Sequence, residues 1–476
     1  MEVGILGLVG GHDLAFYRNA FFLSKEKMDL NIIRFSARLR IVFVAFFDKK
    51  LPKIIVLCAY PFLSWAASSP SAIAKILTPE LVLQEVYANN AELAAQLAKA
   101  NAENAAILEK YALTNPRVER MQESNMTKMQ QEAGKMTTWG VSQELMFPTK
   151  YLAMGSAQKS KARAAQETFL DKKLEIRKET LTQFYHYYTA SKILMLLEAQ
   201  KQTLREIARI AEARRATGAV PQQDEMKAHV EQTKIENEIL LQQQEITEAQ
   251  AMLNALRNQD PSQPLTLPTA NLKTPELQWP KEPVPYSENS KILSSQRYEL
   301  EAAQSERNLA FMSYLPDFMV SFRKPYGSNA PESAYVVGVE MTVPLWFFLR
   351  QSSLVSTASS KVIEAEHQLT QAQRRVGAET KRFISKAKTL SKLLQIYDTA
   401  LIPQATSALN SSRAAYSAGR VGFQELLDSE RSLYAVRIDY HKNLAAYVET
   451  LTSLERVVGT SVSDLPMHVT IKGENP

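Results

Sequence analysis

The chain has 476 residues, 45% of them hydrophobic, with a formal net charge of +6 spread along its length and a mean hydropathy of −0.23. No basic arm or arginine–aromatic cluster argues for nucleic acid, and no apolar run of about 20 residues in the body argues for a helical membrane protein. Glycine (15) and proline (21) are sparse while Ala, Gln, Glu, Lys, Leu and Ser dominate, a mixture that favours long helices.

Residues 1–67 read as a secretory signal: Lys49, Lys50 and Lys53 precede the apolar run Ile54 to Leu63, and Ser64-Trp65-Ala66 offers small residues where a signal peptidase reads. The stretch before Lys49 is overlong for such a signal, and Met28 is a candidate later start. Cys58, the only cysteine, would leave with the signal, so the mature chain is expected to have neither disulfides nor thiol chemistry. Gly4, Gly7, Gly10 and Gly11 resemble a nucleotide loop only superficially, since no strand–turn–helix context surrounds them.

After the signal, the chain repeats itself at a period of about 200 residues. Asn115-Pro116 pairs with Leu315-Pro316, the strand-to-helix junction Pro148 with Pro344, and Ala216-Thr217-Gly218 with Ser417-Ala418-Gly419. Each half reads as helix, two strands, long helix, tight turn and returning helix, giving a first repeat over 68–258 and a second over 288–460, with a tail at 461–476. The opening helix starts at Thr78-Pro79-Glu80: a capping residue, a proline at the first helical position and an acid in the first turn. Strands are expected at 117–124, 135–147, 317–324 and 334–343. Between the halves, the proline-rich segment 259–287 excludes helix.

The helices from Pro148 to Gly218 and from Pro344 to Gly419 would each extend roughly 100 Å, more than a compact domain can hold. Val362, Leu369, Val376, Phe383, Leu390 and Tyr397 recur every seventh residue, as do Leu174, Leu181, Tyr188 and Met195, which predicts coiled-coil packing. In the strands, Trp139, Val141, Gln143, Leu145 and Phe147 align with Tyr335, Val337, Val339, Met341 and Val343. The alternate face carries Thr138, Gly140, Ser142 and Glu144 against Ala334, Val336, Gly338 and Glu340. That alternation suits either a strand between lipid and a watery lumen or a half-buried sheet. Four strands cannot close a barrel of useful bore, so a membrane sheet of this size implies a cyclic oligomer.

The run Leu401-Ile-Pro-Gln-Ala405, Ala415-Tyr-Ser-Ala-Gly-Arg420, Glu425-Leu-Leu-Asp428, Ser432-Leu-Tyr434 and Leu454-Glu-Arg-Val-Val-Gly459 resembles the TolC-like outer-membrane efflux family, as do the Asn-Pro, Leu-Pro and junction prolines. The resemblance covers nearly all of 78–460. It implies a mainly α fold with a small β part: a long coiled-coil tunnel in the periplasm and four strands per protomer in a shared 12-stranded trimeric barrel in the outer membrane. It implies a homotrimer in outer-membrane lipid, with a periplasmic adaptor and an inner-membrane pump of the resistance-nodulation-division or ABC type. It also implies a conducting role with no catalytic residues, no metal and no cofactor.

By motif position, Tyr416 matches the tyrosine tying inner to outer helices in the closed state, and Glu425 and Asp428 match acids that ring the constriction. Asp224 is the first-half equivalent of Glu425 and a candidate partner for the gate tether. The sequence departs from the family pattern where Val421 stands in place of an arginine and Arg420 lies one position earlier, so either Arg420 takes over the tether or the closed state is held differently. Gly218, Val220, Gly419, Val421 and Gly422 mark the tip turns expected to meet the adaptor. Acids one turn into a helix also simply suit its dipole. Glu144 and Glu340 are candidates to line the lumen, or else to pair with a nearby base.

His12, His186, His229, His367, His441 and His468 are isolated, and no nucleophile elbow or phosphate loop is present, so no enzyme chemistry is expected. Two other readings stay open: a periplasmic structural or adaptor coiled-coil protein, and a duct for protein secretion. Pro344-Leu-Trp-Phe-Phe-Leu-Arg350 is similar to the heavy-metal-efflux branch, leaving metal ions, drugs and proteins as cargoes.

Overall fold

The computed structural model describes residues 77–123, 136–218, 221–266, 272–278, 289–327 and 333–466. The expected signal segment, with Cys58, and the tip residue Val220 lie outside these.

Helix α1 (Pro79–Asn89) begins as its sequence dictates, with Thr78 Oγ1 accepting from Leu81 N at 3.3 Å and Pro79 at the first position. Asn90 breaks the path and caps the next helix, α2 (Ala91–Tyr111), by accepting from Leu93 N at 2.9 Å. Strands β1 (Arg117–Glu123) and β2 (Met136–Leu145) follow, then α3 (Pro148–Ala216) and α4 (Gln222–Leu256). The order recurs as α5 (Lys291–Met312), β3 (Asp317–Tyr326), β4 (Val336–Thr342), α6 (Arg350–Ile396), a π-helical turn (Tyr397–Leu401), α7 (Ile402–Ser417) and α8 (Phe423–Val458).

Two expectations are corrected. Pro344 does not open the second long helix: residues 345–349 form turns and α6 begins at Arg350. That helix is also interrupted by the π turn before Pro403. A proline inside a helix lacks the N–H and presses its ring on the carbonyl four residues back, here Thr399, so the turn widens rather than breaks.

The strands form one antiparallel meander, β1-β2-β3-β4, whose outer strands have no neighbour beyond them among the described residues. The register puts Val118, Val141, Phe322 and Val337 in one row, all exposed. The opposite face carries Glu119, Gly140, Arg323 and Val336 in the adjacent row.

Helix α3 is the spine, packing on α2, α4, α5 and α8, while α6 and α7 pack on α8. One apolar core joins Phe169, Ile176, Leu181, Phe184 and Tyr188 of α3 to Leu83 and Val86 of α1, Leu390 and Leu394 of α6, and Tyr447 and Leu451 of α8. A second runs toward the tip through Leu197, Leu204, Ile207, Ile235, Leu409, Tyr416, Phe423, Leu426 and Leu433. The heptad reading of α3 runs one repeat too far, because Met195 is exposed while Ile193 and Leu197 are buried. A straight helix drifts about 20° per heptad, so the stripe leaves a strict seven-residue count. The described part of the proline-rich segment is non-helical and is tied to the helical body, with Tyr187 Oη donating to Leu265 O at 3.0 Å and Gln278 N to Val462 O at 2.8 Å. Among the described residues no helix is long and apolar enough to cross a membrane.

Candidate functional site

The helical tip is built by two glycine turns. Gly218 (φ 72°) ends α3 and Gly419 (φ 74°) ends α7, both in the left-handed region where a side chain is strained. At the second turn Gly419 N donates to Tyr416 O at 2.9 Å and Arg420 N to Ala415 O at 2.8 Å, the paired bonds of a Schellman stop. Gly422 then caps α8 in an extended conformation, with half-buried Val421 packing on the core beneath.

Tyr416 is 1% exposed, its ring edge-on to Phe423 at 5.7 Å. Of the two alternatives, the structure has the second: the cation on Tyr416 is not Arg420 but Arg214 of α3. Its Nη1 donates to Tyr416 O at 2.6 Å and its guanidinium lies 4.7 Å over the tyrosine ring. Arg420 is exposed. The Tyr416 hydroxyl is buried without a hydrogen-bond partner, so Asp224 does not tie it. Burial, helped by the charge of Asp224, pushes the phenol pKa up, and Arg214 pulls it back.

Glu425 and Asp428 are both exposed on α8. Asp428 accepts from Gln424 Nε2 at 3.0 Å and faces Arg431 at 3.5 Å, and Arg431 bridges to Glu231 of α4 at 2.6 Å. The sequence pattern passed over Glu430. It is 0% exposed between α3 and α8, with Gln200 Nε2 donating to Oε2 at 3.3 Å and Oε1 without a partner. Burial pushes its carboxyl up to about 7, Glu231 and Glu238 add to the shift, and Gln200 and Arg431 oppose it. The signal was available: Glu430 continues the spacing of Phe423, Leu426 and Leu427, which are all buried.

On the sheet, Glu144 and Glu340 share one row, separated by Met319. Glu144 lies 3.7 Å from Arg117, and Glu119 bridges to Arg323 at 2.8 Å across Gly140. A Cβ at Gly140 would stand 2.9 Å from the Glu119 side chain, so this cross-strand pair needs the glycine. Pro148 is the first residue of α3. Beside it Lys150 is drawn in by Leu315 O at 2.9 Å and Asp317 Oδ1 at 2.8 Å, which ties the first junction to the start of β3.

The family model for "Outer membrane efflux protein" matches residues 286–460, the whole second repeat. The second half of the chain thus resembles the outer membrane efflux proteins, and the first half repeats its order of helices and strands. The chain is similar to the cobalt-zinc-cadmium resistance protein CzcC of Cupriavidus metallidurans, 23% identical over 400 residues that cover 82% of this chain and 92% of CzcC. Among solved structures it is similar in fold to CusC, with a TM-score of 0.70, 17% identity and coverage of 87% of this chain and 99% of that one. VceC of Vibrio cholerae gives a TM-score of 0.69 at 17% identity, covering 81% and 96%. The matched region and these likenesses support an outer-membrane efflux channel with a periplasmic helical tunnel.

Proposed function

We propose that the chain is one protomer of a homotrimeric duct serving a tripartite efflux system, and that its cargo is divalent transition-metal cations. The observation that carries the duct is the four-stranded sheet with exposed apolar rows and two unpaired edges, mounted on helices far longer than a globular core requires. Open edges are prohibitive in lipid, and three such sheets joined edge to edge remove them. The cargo reading rests on likeness to CzcC along most of both chains. Pumping energy comes from an inner-membrane partner, reached through an adaptor seated on the turns at Gly218, Gly419, Val421 and Gly422.

The tip is the gate. Three copies of exposed Glu425 and Asp428 around a threefold axis concentrate negative charge, attracting cations and repelling anions. Arg214 and Tyr416 hold α7 against α3 in the closed state. Glu144 and Glu340 face the lumen, with Arg117 as the counter-charge beside Glu144.

The test is growth of a clean deletion strain, with and without the gene restored, on cobalt, zinc and cadmium salts beside dyes, detergents and antibiotics. Hypersensitivity confined to the metals and reversed by the gene is expected. Hypersensitivity only to amphiphilic compounds would make it a multidrug duct. Loss of a secreted protein with neither phenotype would make it a secretion duct.

A further inference from the structure

One side of the helical wall is covered by other parts of the chain. Leu277 and Val462 pack with Leu454 and Val458 of α8 and Ile384 of α6. On α3, Tyr187 Oη donates to Leu265 O and Tyr188 Oη accepts from Leu272 N at 3.2 Å. The other side has no such layer among the described residues, and residue counting places its charges. Each residue turns an α-helix by about 100°, so two residues carry a side chain to nearly the opposite face. Arg456 lies two residues from both Leu454 and Val458, and Arg382 and Lys386 lie two residues either side of Ile384.

On that bare side a groove of about 750 Å³ runs between α3 and α6, with α5 and α8 as its floor. Its cations are Lys178, Arg375, Arg382 and Arg456, and its carboxylates are Asp171 and Glu379. Both carboxylates are engaged: Arg456 meets Asp171 at 3.0 Å, and Glu175 beside the groove at 3.2 Å, while Arg375 meets Glu379 at 2.9 Å. Lys178 and Arg382 have no carboxylate at ion-pair distance among the described residues, and the Arg382 guanidinium rests over the Phe383 ring at 4.6 Å. Gln371 adds an amide, whereas those of Gln296 and Gln368 donate to Glu299 and Glu364, which do not line the groove. Seven residues nearer the tip on the same face of α8, Glu449 belongs to a second groove with His186, Glu245, Glu248 and Lys442. The surplus of cations is therefore local to the upper groove.

We infer that the upper groove is a binding site for multivalent oxyanions on the wall of the bore. Its two uncommitted cations stand on helices that α5 and α8 keep apart. An anion charged at both ends engages both of them, and a monovalent anion engages only one. Guanidinium and ammonium each donate charge-assisted hydrogen bonds to carboxylate or phosphate oxygens, and the volume is that of a small-molecule site. The position in the bore rests on the duct reading, in which the covering layer lies outside, whereas the site itself does not. In a trimer this groove recurs three times at one level above the acidic tip, so the bore favours anions at mid-height and cations at its end.

Equilibrium dialysis of radiolabelled citrate or inorganic pyrophosphate against the full-length, detergent-solubilised protein reads the site without a current. Saturable binding is expected, and the tighter probe tells a carboxylate site from a phosphate site. Lys178→Gln with Arg382→Gln, which breaks no ion pair, should weaken it about tenfold. Lys361→Gln, on the same helix outside the groove, should bind as wild type, and acetate at equal concentration should not displace the probe. Unsaturable binding, equal binding by the double variant, or displacement by acetate would overturn the site. Planar-bilayer recording in metal-free potassium chloride then tests its position. The probe should interrupt the wild-type current, and that of the double variant only at about tenfold higher concentration. Saturable binding with an uninterrupted current would put the groove outside the bore. No current from either protein would overturn the duct reading and leave the dialysis result standing.

Discussion

Glu430→Gln should stabilise the protein at alkaline pH and leave it unchanged in acid. Burial between α3 and α8 raises the carboxyl from its ordinary value of 4.5 to about 7. The native state thus holds a proton that the unfolded chain releases, and stability falls as pH rises from about 4.5 through about 7. At roughly 1.4 kcal/mol per pKa unit the penalty above that window is about 3 kcal/mol per chain. Glutamine keeps the shape, can still accept from Gln200, and never ionises. With an unfolding entropy of about 2.1 cal/mol/K per residue over roughly 400 residues, that difference is about 4 °C in Tm. The assay is thermal unfolding of the detergent-solubilised protein from about pH 4.5 to about pH 8, wild type beside variant. The variant should gain about 4 °C at the alkaline end and under about 1 °C at the acid end. Equal pH slopes in the two proteins, or a less stable variant at pH 8, would refute a buried carboxyl at this position.

Glu455→Ala leaves Arg177, which is 1% exposed, without its 2.5 Å partner and takes the acceptor from Val462 N and Ser463 Oγ. Denaturant unfolding should show a loss of about 3–5 kcal/mol. Gly459→Ala forces a side chain onto a residue at φ 79°, with its Cβ 2.0 Å from Asn289 O. At least about 2 kcal/mol should be lost by the same measurement. At the tip, Tyr416→Phe removes only an unpartnered hydroxyl and should leave single-channel conductance in planar bilayers unchanged, whereas Arg214→Ala should raise it. Glu425→Ala with Asp428→Ala should weaken cation selectivity and block by multivalent cations; unchanged block would remove the acids from the constriction.

The repeat, the helix starts and the strands were legible because prolines, glycines and alternation act locally. Thr78-Pro79, the Pro148 junction and the strand faces all fall within a few residues of expectation. What the sequence hid depends on partners far along the chain. Arg214 reads as a cation suited to a helix C-terminus, and only packing of α3 on α7 brings it onto Tyr416. Glu430 reads as one acid among several in a motif, and its burial requires Gln200, 230 residues away. Pro344 has the look of a strand-to-helix junction, yet five exposed apolar residues in turns follow it and the helix begins only at Arg350.

The widened turn at Tyr397–Leu401 has a consequence for angular phase. The apolar stripe follows Val362, Val376 and Leu390 above it and passes to Leu409 and Tyr416 below it, a handover that seven-residue counting does not permit. Each residue turns an α-helix by about 100°, and the widened turn absorbs about one residue: deleting one there would restore a regular helix with the lower stripe still in phase, whereas straightening the turn at full length would swing everything below it by about that angle. Tyr416 would then point away from Arg214 with no side chain at the gate altered. The turn works as a clocking pin: it sets the bearing at which the lower half of the outer helix meets its neighbours.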